Sequence, residues 1–117
     1  MPELALNNKV IDCIKLEATE MVRRLLKEEL VEVILYGSCA RGDYSADSDV
    51  DIALITSFSR MEAQKYNNAL ADIATELAIR YFAVVNFVCL PYDEFQEKKT
   101  WYAYFQNIAT EGEVLYG

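Results

Sequence analysis

Two aspartates, Asp49 and Asp51, interrupt an apolar run in the segment LYGSCARGDYSADSDVDIAL, residues 35–54. If the run is a strand, residues two apart emerge from the same face, about 7 Å apart along the backbone. Two unpaired carboxylates there would repel and cost desolvation energy. A divalent cation removes that cost. Hard oxygen donors suit Mg2+, which usually binds through one or two carboxylates plus the phosphates of a substrate. Asp49 and Asp51 are therefore the candidate catalytic and metal-binding pair. Gly37 and Ser38, just upstream, offer a complementary half. A glycine lets backbone approach a ligand closely, the serine can donate its hydroxyl, and N–H groups of a following helical turn face outward. Arg41 can add a charge-assisted hydrogen bond. The set suits a phosphate held beside a metal.

These residues need a rigid frame, and the surrounding pattern supplies one. Residues 10–30 carry Ile11, Ile14, Ala18, Met21 or Val22, and Leu25 at helical spacing, with charged residues on the other face. The β-branched run 31–36 reads as a strand that ends at the Gly-Ser pair. Residues 38–41 suit a helical turn ended by Gly42. The run 48–55 reads as a second strand: Val50, Ile52 and Leu54 on one face, Asp49, Asp51, Ala53 and Ile55 on the other. Residues 60–80 predict a long helix with Tyr66, Leu70, Ile73 and Leu77 as its stripe. Residues 82–90 predict an apolar strand interrupted by Asn86. Pro91 ends it and suits the first turn of a short helix through Phe95. Thr100 is placed to cap a last helix holding Trp101, Tyr104, Phe105 and Ile108, which Gly112 ends; residues 113–117 read as an apolar tail. The order points to an α/β fold: a small sheet backed by helices, with short linkers and no second domain, so that residues 1–117 form one domain.

Composition narrows the function. A net charge of −8 argues against direct, unaided nucleic-acid binding, but not against a nucleotide, because metal ions can supply positive charge. The chain has no histidine, and its three cysteines, Cys13, Cys39 and Cys89, are scattered. That argues against a structural zinc site and against His-dependent catalysis. Reduced thiols fit a cytoplasmic protein. No leader-like or membrane-spanning apolar run is evident.

The Gly-Ser pair at 37–38, ten intervening residues, then Asp-Val-Asp at 49–51 resembles the signature of the DNA polymerase β-like nucleotidyltransferase superfamily. The run GSCARG resembles the form common in its smallest members, the minimal nucleotidyltransferases. Element order, length and the EGEVLY ending agree over nearly the whole chain. The resemblance implies a mixed sheet backed by helices. It implies that Gly37 and Ser38 contact a nucleoside triphosphate, ATP, with Arg41 assisting. It assigns Asp49 and Asp51 to the metal ions that bridge its phosphates, two Mg2+. An acceptor hydroxyl would attack the α-phosphate and release pyrophosphate. Minimal nucleotidyltransferases are often encoded beside small helical HEPN proteins. In such toxin–antitoxin pairs the HEPN protein is the RNase toxin, and the nucleotidyltransferase is the antitoxin that can place AMP on a toxin tyrosine (AMPylation).

The chain departs from the pattern at Asn86, in VNFV, where the family usually carries a third carboxylate. An amide can offer a carbonyl to a metal but cannot take a proton. Either catalysis is weakened, or Asp93 or Glu94 substitutes, or the acceptor needs little activation. Plainer roles stand beside the functional ones. Asp49 and Asp51 could be solvated strand-edge residues, and Ser38 could cap the short helix. Arg41 could pair with Asp43 or Asp47, Asp47 could shape the turn, and Asn86 could be a satisfied buried amide. Cys39 lies inside the motif without a base to activate it. Among Trp101, Tyr102, Tyr104 and Phe105, half should face the core; the rest could anchor a partner. Two further readings remain: an antitoxin of this fold that acts by binding alone, and a small-molecule nucleotidyltransferase of the antibiotic-modifying kind. A homo-oligomer is left open.

Overall fold

The sheet forms where the β-branched runs lie. The computed structural model describes residues 6–117. In it Leu30–Tyr36 (β1) and Val50–Thr56 (β2) pair antiparallel, with Tyr36 opposite Asp51. Val85–Pro91 (β3) runs parallel to β2, placing Asn86 beside Asp51. Glu113–Tyr116 (β4) pairs antiparallel with the other side of β1. The order β3-β2-β1-β4 is a mixed sheet, as the family resemblance implies. Residues 113–116 are thus a strand rather than a loose tail.

Two helical layers cover the sheet. On one face lie Asn8–Leu26 (α1) and Asn67–Tyr81 (α4). Ile14, Ala18, Val22, Leu70 and Leu77 pack there against Val33, Leu35, Val50, Ile52 and Leu54. On the other lie Tyr92–Lys98 (α5) and Ala103–Glu111 (α6), whose Phe95, Phe105 and Ile108 pack on Ile34, Ala53, Ile55 and Leu90. The two faces of β2 divide as its alternation predicts.

Several boundaries differ from the sequence reading. Asn7 caps α1, its Oδ1 accepting from the Val10 N–H at 2.9 Å. The helix stops at Leu26 rather than Leu30, and Val22 and Leu26, not Met21 and Leu25, are the buried members. Lys27 there takes a left-handed φ of 51°. Ser48 and Asp49 precede β2 instead of belonging to it. The turn before them is closed by Ser45 and Ser48 (Ser45 N–H to Ser48 Oγ, 2.9 Å) rather than by Asp47.

The helix predicted over 60–80 is broken. Ser59 and Glu62 form a capping box for Arg60–Ala63 (α3), and a 3-10 turn over Gln64–Tyr66 leads into α4. Tyr66, Asn67 and Asn68 are weaker helix formers than their neighbours, and the Tyr66 ring stacks on Phe58 at 5.2 Å. Residues 82–84 are a connection, not strand: Phe82 is left-handed, with its N–H donating to the Ala78 carbonyl at 2.8 Å. Pro91 is both the end of β3 and the residue before α5. Thr100 does not cap α6. Its hydroxyl turns back to the Glu97 carbonyl, and Tyr102 stands at the helix start.

Candidate active site

The β1-to-β2 connection builds the site at one end of the sheet. β1 ends at Tyr36, and Gly37 turns the chain with φ 78° and ψ −159°. A side chain is excluded twice at this position. The left-handed φ disfavours one, and a Cβ would stand 2.9 Å from Asp51 Oδ2. Backbone and carboxylate are therefore in close approach. Ser38–Arg41 (α2) follows as a single turn, with the Ala40 and Arg41 N–H groups donating to the Gly37 carbonyl at 3.1 Å. Gly42, left-handed, ends it as the sequence predicts. Ser38 makes no side-chain capping bond in this turn; Gly37 occupies the cap position.

The chain then returns through an exposed loop to Asp49 and Asp51. Asp51 sits in the ladder between Tyr36 on β1 and Asn86 on β3. Asp49 stands just before the strand, where the Val50 N–H bonds the Val84 carbonyl at 2.8 Å. The Asn86 side-chain nitrogen donates to Asp49 Oδ2 at 3.0 Å and to Asp51 Oδ1 at 3.1 Å. The structure thus brings Gly37, Asp49, Asp51 and Asn86 together. Asn86 is exposed and satisfied, not a buried amide.

Other candidates are placed less centrally. Arg41 is exposed and turned to acids: its Nε bonds Asp43 Oδ2 at 3.2 Å and its Nη1 bonds Glu111 Oε1 at 3.3 Å. Hydrogen bonds to both hold the guanidinium firmly charged. Asp47 takes no part in this pairing. Glu111, at the end of α6, was not foreseeable from its distance in sequence. Cys39 is buried, with its Sγ 3.5 Å from the Asp49 carbonyl. Burial first, then the Asp51 and Asp49 charges, push its thiol pKa up, so it is protonated and no nucleophile.

Asp93 and Glu94 do not replace the third carboxylate. The length of β3 from Asn86 to Pro91 separates them from it by about 16 Å. Glu94 instead receives Arg60 Nε and Nη2, both at 2.8 Å, and Lys98 Nζ at 2.7 Å. Arg60 and then Lys98 pull its pKa down to about 2.

Tyr36 is a site neighbour that the motif does not single out, although it directly precedes Gly37. Its hydroxyl lies 3.0 Å from that of Tyr104, on α6. Burial, the Tyr104 hydrogen bond and the Asp51 charge push its pKa well up, so it stays neutral. Of the aromatic group on α6 and the turn before it, only Phe105 is buried. Trp101, Tyr102 and Tyr104 are 64%, 45% and 42% exposed, more than the half expected. Trp101 lies in the turn before the helix, so helical spacing does not carry it inward.

The donor set fits a hard divalent cation. Two carboxylate oxygens converge on one point within about 3 Å, and the rest of a Mg2+ shell is normally water and phosphate. Among the described residues no cluster of three or more His, Cys, Asp and Glu side chains forms.

Comparison with known proteins places the chain. The family model described as the nucleotidyltransferase domain matches residues 17–108. A Methanocaldococcus jannaschii protein named "Putative protein adenylyltransferase MJ0604" is 29% identical over 100 residues, covering 86% of this chain and 92% of the relative. A second protein of that name and organism, MJ0141, is 33% identical over 78 residues, covering 67% and 76%. Among solved structures, a toxin–antitoxin crystallised with AMP-PNP is similar in fold, with TM-score 0.58 and 21% identity over 88% of this chain and 73% of that one. The toxin–antitoxin MntA-HepT gives TM-score 0.52 and 18% identity over 91% and 72%. On the family match, the signature it spans and the fold that carries it, the chain belongs to the nucleotidyltransferase domain family and is a nucleotidyltransferase.

Proposed function

We propose that this protein transfers AMP from ATP, with Mg2+, to a tyrosine hydroxyl of a HEPN-type toxin and so acts as an antitoxin. One observation carries the chemistry: the Gly37 backbone lies against the Asp51 carboxylate, while one nitrogen of Asn86 reaches both Asp49 and Asp51. A phosphate seated at the Gly37–Ser38 turn is then adjacent to the carboxylate pair. The relatives' names support protein adenylylation, and the toxin–antitoxin neighbours share the fold.

The residues divide the work as follows. Gly37 lets the phosphates approach the backbone, and Ser38 donates its hydroxyl to them. Asp49 and Asp51 would hold Mg2+, which would supply positive charge to offset that of the phosphates. Arg41 reaches the nucleotide by leaving Asp43 and Glu111. The acceptor oxygen forms a bond to the α-phosphorus as the bond to pyrophosphate breaks. Asn86 cannot take the acceptor's proton, which leaves to solvent water as the new bond forms. Tyr104 meets Tyr36 at the border of the site, and together with the exposed Trp101 and Tyr102 it suits a protein partner.

A second reading is favoured by Asn86 itself: an antitoxin with weakened chemistry that neutralises its toxin by binding alone. Intact-mass measurement separates the two. The protein is mixed with Mg2+, ATP and a HEPN-type partner. Gain of adenylyl units by the partner, lost in Asp49→Ala and Asp51→Ala, supports transfer. Tight complex formation without mass gain supports binding alone.

A further inference from the structure

Asn86 meets both acids with one side-chain nitrogen. Carboxylate oxygens only accept hydrogen bonds, so the amide must turn its NH2 group toward them. One nitrogen, 3.0 Å from Asp49 and 3.1 Å from Asp51, then lies where the two negative charges converge. The parallel register of β2 and β3 fixes that position, with Asn86 beside Asp51. Among the described residues no lysine or arginine pairs with either acid. Arg41 is held by Asp43 and Glu111, and Arg60 and Lys98 by Glu94. The amide is the group that relieves the repulsion.

We infer that Asn86 is a positioning residue that holds the Asp49–Asp51 pair in place of a cation and competes with one for it. The inference rests on the reading of Asp49 and Asp51 as metal ligands. A bare divalent ion must displace two charge-assisted hydrogen bonds and gains two carboxylates in return. An ion arriving with a triphosphate brings further oxygen ligands with it. The chain therefore takes up metal with nucleotide rather than ahead of it. A carboxylate at position 86 would reverse this, because the competitor would become a third ligand.

Mn2+ alone, titrated into the full chain and followed by the electron paramagnetic resonance signal of the free ion, tests the inference. Asn86→Ala removes the competitor and adds no ligand, so it should bind Mn2+ about fivefold more tightly than the unaltered protein. Asn86→Asp should bind about tenfold more tightly again, or better. In EDTA both variants should melt a few degrees, about 2–5 °C, below the unaltered protein, and Mn2+ should restore them. A merely structural amide would lower the melting point without raising Mn2+ affinity.

Binding by Asn86→Ala that is equal to or weaker than that of the unaltered protein overturns the inference. It would leave Asp49 and Asp51 as ligands, with the Asn86 carbonyl as a third. If none of the three proteins binds Mn2+, even with a non-hydrolysable ATP analogue present, the metal reading of the two aspartates falls and the inference with it.

Discussion

β2 sends alternate side chains to two faces with opposite fates. Val50, Ile52 and Leu54 are wholly shielded beneath α1 and α4. On the other face Ala53 and Ile55 are equally shielded beneath α5 and α6, but Asp51, next in that row, is only half-buried. The first face is closed along the strand. The second is left open at its end, where Tyr36, Asp51 and Asn86 lie side by side in the ladder. One residue of parity thus separates the core from the candidate site. The same backbone that locks Ile52 into the core holds Asp51 at the site, so the site gains rigidity without being buried.

The largest expected effect divides the two rows most sharply. Asp49→Ala or Asp51→Ala should lower nucleotidyl transfer by about 10²–10³-fold or more, while urea denaturation shifts by no more than about 0.5 kcal/mol. Ile52→Ala, one residue away, should show the opposite pattern, losing about 2–5 kcal/mol of stability. If Asp51→Ala unfolds the protein, or Ile52→Ala leaves its stability intact, the division fails.

Gly37→Ala tests the joint between the regions. A left-handed φ and a Cβ at 2.9 Å from Asp51 Oδ2 act together there. The substitution should cost about 1–3 kcal/mol and also lower transfer, as the carboxylate is pushed aside. Loss of stability with unchanged transfer would show that the close approach serves only the turn.

The smallest effect lies at the far end of the sheet. Arg60 and Lys98 hold the folded-state pKa of Glu94 at about 2, below its ordinary value of 4.5. The folded state therefore gains from ionised Glu94 above the ordinary value. That gain is lost as pH falls from about 4.5 toward 2. Glu94→Gln should flatten this part of the stability profile, measured by melting at stepped pH, and leave nucleotidyl transfer at neutral pH unchanged. A variant whose acid profile matches that of the unaltered protein would show that the ion cluster contributes nothing measurable.

Much of this was legible in residue order. The alternation after Asp49 marked both faces of β2, and Gly42 marked the end of the turn at residues 38–41; the close approach of Gly37 to Asp51 shows only in the structure. What escaped depends on partners distant in sequence. Residues 113–116 become a strand only because β1 offers a free edge, which a four-residue run cannot announce. Phe82 takes a left-handed conformation that glycine or asparagine usually signals, so the start of β3 was read three residues early. The Arg41–Glu111 pair spans 70 residues. Asn86 was recognisable as a departure from the family pattern, but its reach to both acids follows from strand register alone.

The central claim is that the Asp49–Asp51 pair and the Gly37–Ser38 turn together hold a metal-bound nucleotide. A crystal structure with Mn2+ and a non-hydrolysable ATP analogue tests it most directly. The account predicts anomalous density for Mn2+ against both carboxylates and the triphosphate along the Gly37–Ser38 turn. Nucleotide bound away from that turn, or Mn2+ bound elsewhere with the Asn86 amide still bridging Asp49 and Asp51, would contradict it.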